Sequence, residues 1–154
     1  MSNDLPQIDS FDRAILDILS ADGRISITEL SGRIGLSKTP TQARLRRLEA
    51  DGVITGYRAI LDPIRIGRDH VAFVEVKLTD TREAALSAFN AAVRKVPEIE
   101  QCHMLAARFD YLLKVRTQDM SAYREVLAER ISTLPHVAHT STFVAMQAVK
   151  EGGL

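Results

Sequence analysis

The hydrophobic period changes once along the chain, close to Gly52, and this change restricts the possible folds more than any other feature. Before Gly52 apolar residues recur every three or four positions, as they do in amphipathic helices. After it they alternate with polar residues over short β-branched stretches, as they do in strands. The sequence therefore predicts an α+β protein with a helical domain at 1–57, a linker at 58–69 and a second domain at 70–150.

Capping residues and apolar spacing predict three helices in the first domain. The first begins at Asp9 or Ser10 and ends at 21–23, and the second stops at Gly35. The third is expected at 38–50, with Ser37 as its cap. Three short helices with a tight turn before the third match the helix-turn-helix template. Residues 53–61 then predict either a hairpin or an extended connector.

The second domain shows the element order β-α-β-β-α-β, which is the ferredoxin-like arrangement of an antiparallel sheet with both helices on one face. The other face is then expected to expose alternating apolar residues, and an apolar surface of that size usually marks an interface. The sequence therefore predicts dimerisation through the sheets. The predicted elements are a strand at 71–78, a helix at 81–95, strands at 99–105 and 111–117, a helix at 120–131 and a strand at 137–149.

The third helix lies in a segment that is basic and free of acidic residues. Between Leu30 and Leu48 the chain has five lysines and arginines and neither aspartate nor glutamate, although its formal net charge is zero. Leu45 and Leu48 are expected to face inward with Thr41, which leaves long hydrogen-bond donors for a major groove. We expect Lys38, Thr39 and Gln42 to contact bases and Arg44, Arg46 and Arg47 to contact phosphates. The candidate DNA-binding set is Ser37, Lys38, Thr39, Thr41, Gln42, Arg44, Arg46 and Arg47.

A solvated helix on which arginines happen to cluster is the alternative interpretation. A helix built for solubility alone usually carries glutamates that pair with its cations at i,i+4. Because the segment has none, DNA binding is the favoured hypothesis. A nucleoid-compacting protein with little sequence preference would share the same helix, and the ratio of specific to non-specific affinity would distinguish it.

Nine stretches of the chain carry recognisable motifs: 8–16, 22–26, 29–31, 34–37, 44–49, 52–57, 102–103, 109–114 and 119–124. Taken in order, these motifs resemble the Lrp/AsnC family of transcriptional regulators, and those of the second half resemble its leucine-responsive branch. The resemblance covers almost the whole chain and implies a winged-type helix-turn-helix joined to a ferredoxin-like domain. It also implies regulation of amino-acid metabolism genes, binding to pseudo-palindromic double-stranded DNA, and homodimers that assemble into octamers.

The same resemblance implies a small amino-acid effector, bound between subunits near the turn that joins the second and third strands. Asp110 would accept the effector's ammonium group or, alternatively, cap the turn. Hydroxyls at 140–142 would reach the same pocket or simply be the polar residues of an alternating strand. The candidate effector-binding set is Met104, Leu105, Ala106, Ala107, Arg108, Asp110, Thr140, Ser141 and Thr142.

This turn departs from the family pattern, which usually has a glycine before the aromatic-aspartate pair. Here Ala107 and Arg108 precede Phe109 and Asp110. Alanine resists positive φ and narrows the approach to the backbone, whereas Arg108 adds a cation where a carboxylate could bind. Either Arg108 grips the effector carboxylate with altered specificity, or the pocket is lost and the protein is ligand-independent.

Other classes of function find little support in the sequence. The four histidines lack metal-site spacing, and no nucleophile motif or phosphate loop occurs, so we expect neither an enzyme nor a cofactor. The lone Cys102 is expected to be a buried small hydrophobe. No apolar run of membrane-spanning length and no basic-apolar signal peptide is present, so a cytoplasmic, nucleoid-associated location is expected.

Overall fold

The computed structural model describes residues 6–151, so the first five residues of the predicted 1–57 domain lie outside it. The chain divides into two compact units between Ile60 and Leu61, inside the segment expected to be the linker. The first unit contains the helices α1 (Ser10–Ala21), α2 (Ile27–Ile34) and α3 (Lys38–Ala50). These bounds confirm the three predicted helices.

The core of the first unit is small and formed by one large apolar residue from each helix. Ile15, Leu30 and Leu48 are almost completely buried, and the partly buried side chains around them come from all three helices. Ser26 caps α2 by accepting from the Glu29 amide, and Gly35 ends it at φ +73°. Such positive φ values are easily adopted only by glycine. The turn into α3 therefore depends on Gly35.

Residues 53–61 contain no strand, so the hairpin alternative is wrong and the connector interpretation is confirmed. The amides of Val53 and Ile54 both donate to the Leu48 carbonyl and are used to end α3. Tyr57 then donates its hydroxyl to Glu49 at 2.8 Å. Burial and this hydrogen bond raise the pKa of Tyr57 to about 12. The start of this segment and the Tyr57 side chain are therefore bonded to the end of α3 and not to a second strand.

The second unit has the predicted β-α-β-β-α-β order. Its four strands form one antiparallel sheet in the order β2-β3-β1-β4, as a ferredoxin-like domain requires. The second helix of this unit, at Met120–Val126, is continued by a π-helical turn at Leu127–Ile131. The elements are β1 (His70–Leu78), α4 (Glu83–Val93), β2 (Ile99–Met104), β3 (Tyr111–Thr117), α5 (Met120–Val126) and β4 (Val137–Val144).

The last strand ends earlier than predicted, at Val144 instead of residue 149. Val144 lies opposite Ala72, and the next amide, that of Ala145, donates to Val71. Because β1 begins at His70, the chain beyond this point has almost no partner strand left. Strand length here is limited by the neighbouring strand, which alternation within 137–149 could not reveal.

One face of the sheet packs against α4 and α5 and forms the main core. Val74, Val76 and Leu113 are fully buried there, and the rings of Phe89 and Tyr111 lie 4.4 Å apart. Apolar burial of this kind is the main stabilising contribution to the unit. Half-buried Cys102 packs at its edge, and burial raises the pKa of its thiol.

The opposite face, called here the open face, is less apolar than predicted. It carries Phe73 opposite Phe143, but charged residues alternate with the other apolar ones: Arg116 lies opposite Val71, and Glu75 lies opposite Leu112. Arg116 is buried and pairs with Glu100 and Glu151. The expectation of an alternating apolar surface is therefore wrong in its detail: the charges compensate one another within the face, and apolar residues form only an island among them.

Replacing Gly32, within α2, and Gly35, in the turn after it, by alanine should change the stability of the helical unit in opposite directions. Gly35→Ala should destabilise the helical unit by about 1–2 kcal/mol, because alanine strains at positive φ. Gly32→Ala should stabilise it by about 0.5–1 kcal/mol, because Gly32 is helical and no atom lies within 4 Å of an added Cβ. Hydrogen exchange of the α1 and α3 amides measures both changes. Equal signs for the two variants would contradict the role assigned to Gly35.

Candidate nucleic-acid interface and effector loop

The exposed side of α3 presents polar side chains that have no partner in the described chain. Lys38, Thr39, Gln42 and Arg46 are exposed and make no hydrogen bond or ion pair with residues 6–151. Thr39, Gln42 and Arg46 follow one another at spacings of three and four, which places them on one helical face. This surface, called here the α3 face, has the donors and acceptors that base edges and phosphates require.

Ser37 stands at the N-cap position of α3, as predicted, but its hydroxyl does not cap the helix. Its carbonyl instead accepts from both the amide and the hydroxyl of Thr41. Thr41 is completely buried. Its inclusion in the DNA-binding set is wrong, because a side chain without solvent contact that donates to its own helix cannot reach a base.

Two of the predicted phosphate contacts are already paired with acids of α1. Arg44 Nη1 lies 2.6 Å from Asp9 Oδ2 and 2.9 Å from Asp12 Oδ1. Arg47 pairs with the other oxygen of Asp12. Asp12 itself is fully buried. Arg44 and Arg47 therefore acquire their acidic partners from 32 to 35 residues away, whereas Arg33 of the same acid-free segment pairs with Glu29, four residues before it.

Sequence reasoning missed Asp9 and Asp12, although a signal was present. The two acids are three residues apart, and so are the two arginines that they meet. Residues three apart share a helical face, so two such pairs can meet across a helix-helix contact. Asp9 also caps α1 by accepting from the Asp12 amide. That amide and then Arg44 hold the pKa of Asp9 below its usual value.

The turn between β2 and β3 accommodates its unusual residues without backbone strain. Among the described non-glycine residues, His136 alone has a positive φ. Ala107 and Arg108 therefore adopt ordinary backbone conformations, and the expected conflict between alanine and positive φ does not arise. Met104 and Leu105 are exposed, and residues 106–108 are exposed as well.

Arg108 and Ser141 lie in one cavity of about 320 Å³ on the open face. Arg108 is 81% exposed and only loosely paired with Glu75, at 3.4 Å. Thr140 and Thr142 lie opposite Val76 and Val74, whose side chains point to the helices. Thr142 accordingly contacts the Tyr123 hydroxyl. Including these two threonines with Ser141 was wrong, because alternate strand residues face opposite sides.

Asp110 has the turn-capping role that was its alternative interpretation. Its carboxylate accepts from the Leu78 amide at 2.8 Å and from Lys77 Nζ at 3.0 Å. Burial alone would raise the pKa of Asp110, but these two donors together lower it. Both oxygens are used, so Asp110 offers an effector ammonium little. Glu75, Lys77 and His139 line the cavity instead, and only strand register identifies them.

No helix within residues 6–151 has the length and apolarity needed to cross a membrane. Within the same residues, no three histidine, cysteine or acidic side chains are grouped so as to hold a metal ion.

The lowered pKa of Asp110 predicts a pH-dependent contribution to stability. Asp110→Ala should destabilise the second unit by about 1–3 kcal/mol at pH 7, because the buried Leu78 amide loses its acceptor. A depressed carboxyl pKa stabilises above the unfolded value and loses this effect as pH falls through the folded value. The difference between wild type and variant, measured by urea unfolding, should therefore shrink below about pH 4. A difference that grows on acidification would contradict the assignment.

Each of the two units matches a known family of domains. Residues 8–55 match winged helix-turn-helix DNA-binding domains, and residues 71–154 match Lrp/AsnC ligand binding domains. A proline dehydrogenase transcriptional activator of Rhizobium radiobacter is 60% identical over 99% of this chain and 98% of its own. The leucine-responsive regulatory protein of Salmonella typhimurium is 49% identical over 94% and 88%.

Two solved structures with a similar fold are also transcriptional regulators. A transcriptional regulator of Neisseria meningitidis in complex with L-methionine has a TM-score of 0.88 and 31% identity, over 95% of this chain and 94% of its own. An AsnC family regulator of Agrobacterium tumefaciens has a TM-score of 0.89 and 30% identity, over 94% of both chains. The relatives are regulators and not enzymes. The chain therefore belongs to the Lrp/AsnC family of DNA-binding transcriptional regulators.

Proposed function

We propose that this regulator binds specific pseudo-palindromic operators through the α3 face and controls genes of amino-acid metabolism in response to a small amino acid. The observation that carries the proposal is the exposure of Thr39, Gln42 and Arg46 on one helical face without partners in the described chain. A recognition helix needs such donors on the side that enters the major groove. Lys38, Thr39 and Gln42 are proposed to contact bases and Arg46 to contact phosphate.

The target gene is proposed from the relatives. Two proteins named proline dehydrogenase transcriptional activators, from Rhizobium radiobacter and Rhodobacter capsulatus, are 60% and 58% identical over nearly the whole chain. We infer that this chain also activates a proline dehydrogenase gene. An activator of an enzyme that consumes an amino acid is most useful if it responds to that amino acid, so proline is the proposed effector.

The effector site is proposed at the open-face cavity beside Arg108. An amino acid needs a cation for its carboxylate and an acceptor for its ammonium group. Arg108 and Glu75 supply these, and their mutual contact at 3.4 Å is loose enough to be opened by a ligand. This favours a retained and modified pocket, with Glu75 in the role first expected of Asp110.

Assembly is proposed to use the same face. Phe73 and Phe143 form an apolar island, and Phe143 is 51% exposed in the single chain. Pairing of two sheets would cover the island and bring the cavity to a subunit boundary, as expected for an effector bound between subunits. Homodimers that associate further into octamers, acting at the nucleoid in the cytoplasm, complete the proposal.

The DNA-binding proposal is tested by selecting operators from a random duplex library. The wild type should enrich one pseudo-palindromic site, with half-sites separated by whole helical turns. Gln42→Ala should relax the preference at one base pair per half-site, at a cost of about 1–3 kcal/mol in discrimination. Gln101→Ala, on strand β2 of the other unit, is the control and should enrich the wild-type site. Failure of the wild type to enrich any sequence would refute sequence-specific binding.

The effector proposal is tested by calorimetric titration with proline, leucine, methionine and the other amino acids. We expect proline to bind the wild type and Arg108→Ala to weaken it at least tenfold, since a charge-assisted carboxylate contact is lost. Arg65→Ala is the matched control, because Arg65 is similarly exposed but does not line the cavity. Silence of the wild type towards all twenty amino acids would instead support a ligand-independent protein.

A further inference from the structure

Four charged side chains join α1 to α3, and they are called here the α1–α3 cluster: Asp9, Asp12, Arg44 and Arg47. Asp12 accepts from both arginines and from the Asp9 amide. Asp9 uses Oδ1 for the Asp12 amide and Oδ2 for Arg44. Two carboxylates face two guanidinium groups, so the cluster is neutral as a whole.

Arg44 is held on several sides, and turning towards DNA would break its contacts with Asp9, Asp12 and the Phe11 ring. Its side chain is 27% exposed, and its guanidinium carbon lies 5.4 Å from the centre of the Phe11 ring. Reaching a phosphate would require leaving both carboxylates. Asp12 has no solvent contact, so its charge would then lose a partner without gaining water in exchange. Removing one partner of a buried ion pair is strongly unfavourable.

Arg47 is more exposed, at 47%, but it is tied to the same buried carboxylate. Arg46 differs from both. It lies between them in the sequence, is exposed, and makes no ion pair with the described residues. Three arginines within four positions therefore have two distinct environments, and only one of the three has a guanidinium that is available to a ligand.

We propose that Arg44 and Arg47 are positioning residues that set the rotation of α3 through Asp9 and Asp12, and that they do not contact phosphates. The rotation of α3 decides which of its side chains meet base edges. Loss of the cluster should therefore reduce discrimination between operator and other DNA without changing the number of phosphates neutralised. This inference rests on the proposed DNA-binding function.

The salt dependence of affinity separates the two roles. For duplex DNA the logarithm of the binding constant falls with the logarithm of salt concentration, with a slope of about 0.9 per phosphate neutralised. Arg46→Gln should reduce that slope by about 0.9 for each recognition helix engaged. Arg44→Gln should leave the slope unchanged and lower the ratio of operator to random-sequence affinity about tenfold, within the range for a lost base contact. A slope reduced as much in Arg44→Gln as in Arg46→Gln would overturn the proposal.

A second variant tests the cluster without endangering the fold. Asp9→Asn removes the charge facing Arg44 but keeps a good N-cap for α1. Asp17→Asn, an exposed acid of the same helix without an ion pair among the described residues, is the matched control for the lost charge. The two variants should show equal salt slopes, because Asp12 still holds Arg44. Asp9→Asn should nevertheless discriminate less well than Asp17→Asn between operator and random-sequence duplex, because Asp9 helps to fix the rotation of α3. Equal discrimination by the two variants would overturn the proposal.

The operator obtained by selection and one random duplex of equal length serve as the two probes. If the wild type binds neither, or binds both equally, the proposed function fails, whatever the slopes of the variants are. If the wild type discriminates between them, the slopes test the positioning role alone.

Discussion

The carboxylate of Asp12 has no contact with solvent, and the arrangement of the helical unit depends on how its charge is compensated. Two guanidinium groups and one backbone amide surround it. A buried charge is tolerated only with partners in good geometry. Because those partners come from α3, the electrostatic requirement of one residue in α1 ties the two helices together. The apolar core of this unit contains only three fully buried large side chains. Ion pairs between α1 and α3 can therefore make a substantial contribution to how the two helices are held together.

The consequence is a division of labour on a helix that looks uniformly basic. Arg44 and Arg47 face the acids of α1, whereas Thr39, Gln42 and Arg46 face outward. The second unit follows the same principle: Asp110 uses Lys77 and an amide to hold its turn, and Arg116 is enclosed by glutamates. In both units these paired charges fix the scaffold. Arg46, which makes no ion pair with the described residues, and Arg108, which is loosely paired with Glu75, are two cations to which a binding role is assigned.

Much of this could be predicted from the sequence, because helix bounds depend on local signals. Ser10–Ala21 and Lys38–Ala50 are set by caps and apolar spacing, and β3 by its alternation. The partners of Arg44 could not be obtained this way, since they lie more than 30 residues away. The side of the sheet on which Thr140 and Thr142 lie could be told only from the strand register. The end of β4 could be told only from the length of its partner strand β1. Sequence reasoning failed where a second element decides the outcome.

The central claim is that Arg46 of α3 contacts DNA while Arg44 and Arg47 keep their ion pairs with Asp9 and Asp12. The most direct measurement is an NMR titration with operator duplex that follows the side-chain Nε–Hε resonances of the three arginines. We expect the Arg46 resonance to shift on binding. We expect those of Arg44 and Arg47 to keep their free-state positions and their contacts with α1. Shifts of all three, with loss of the contacts between Arg44 and α1, would contradict the claim.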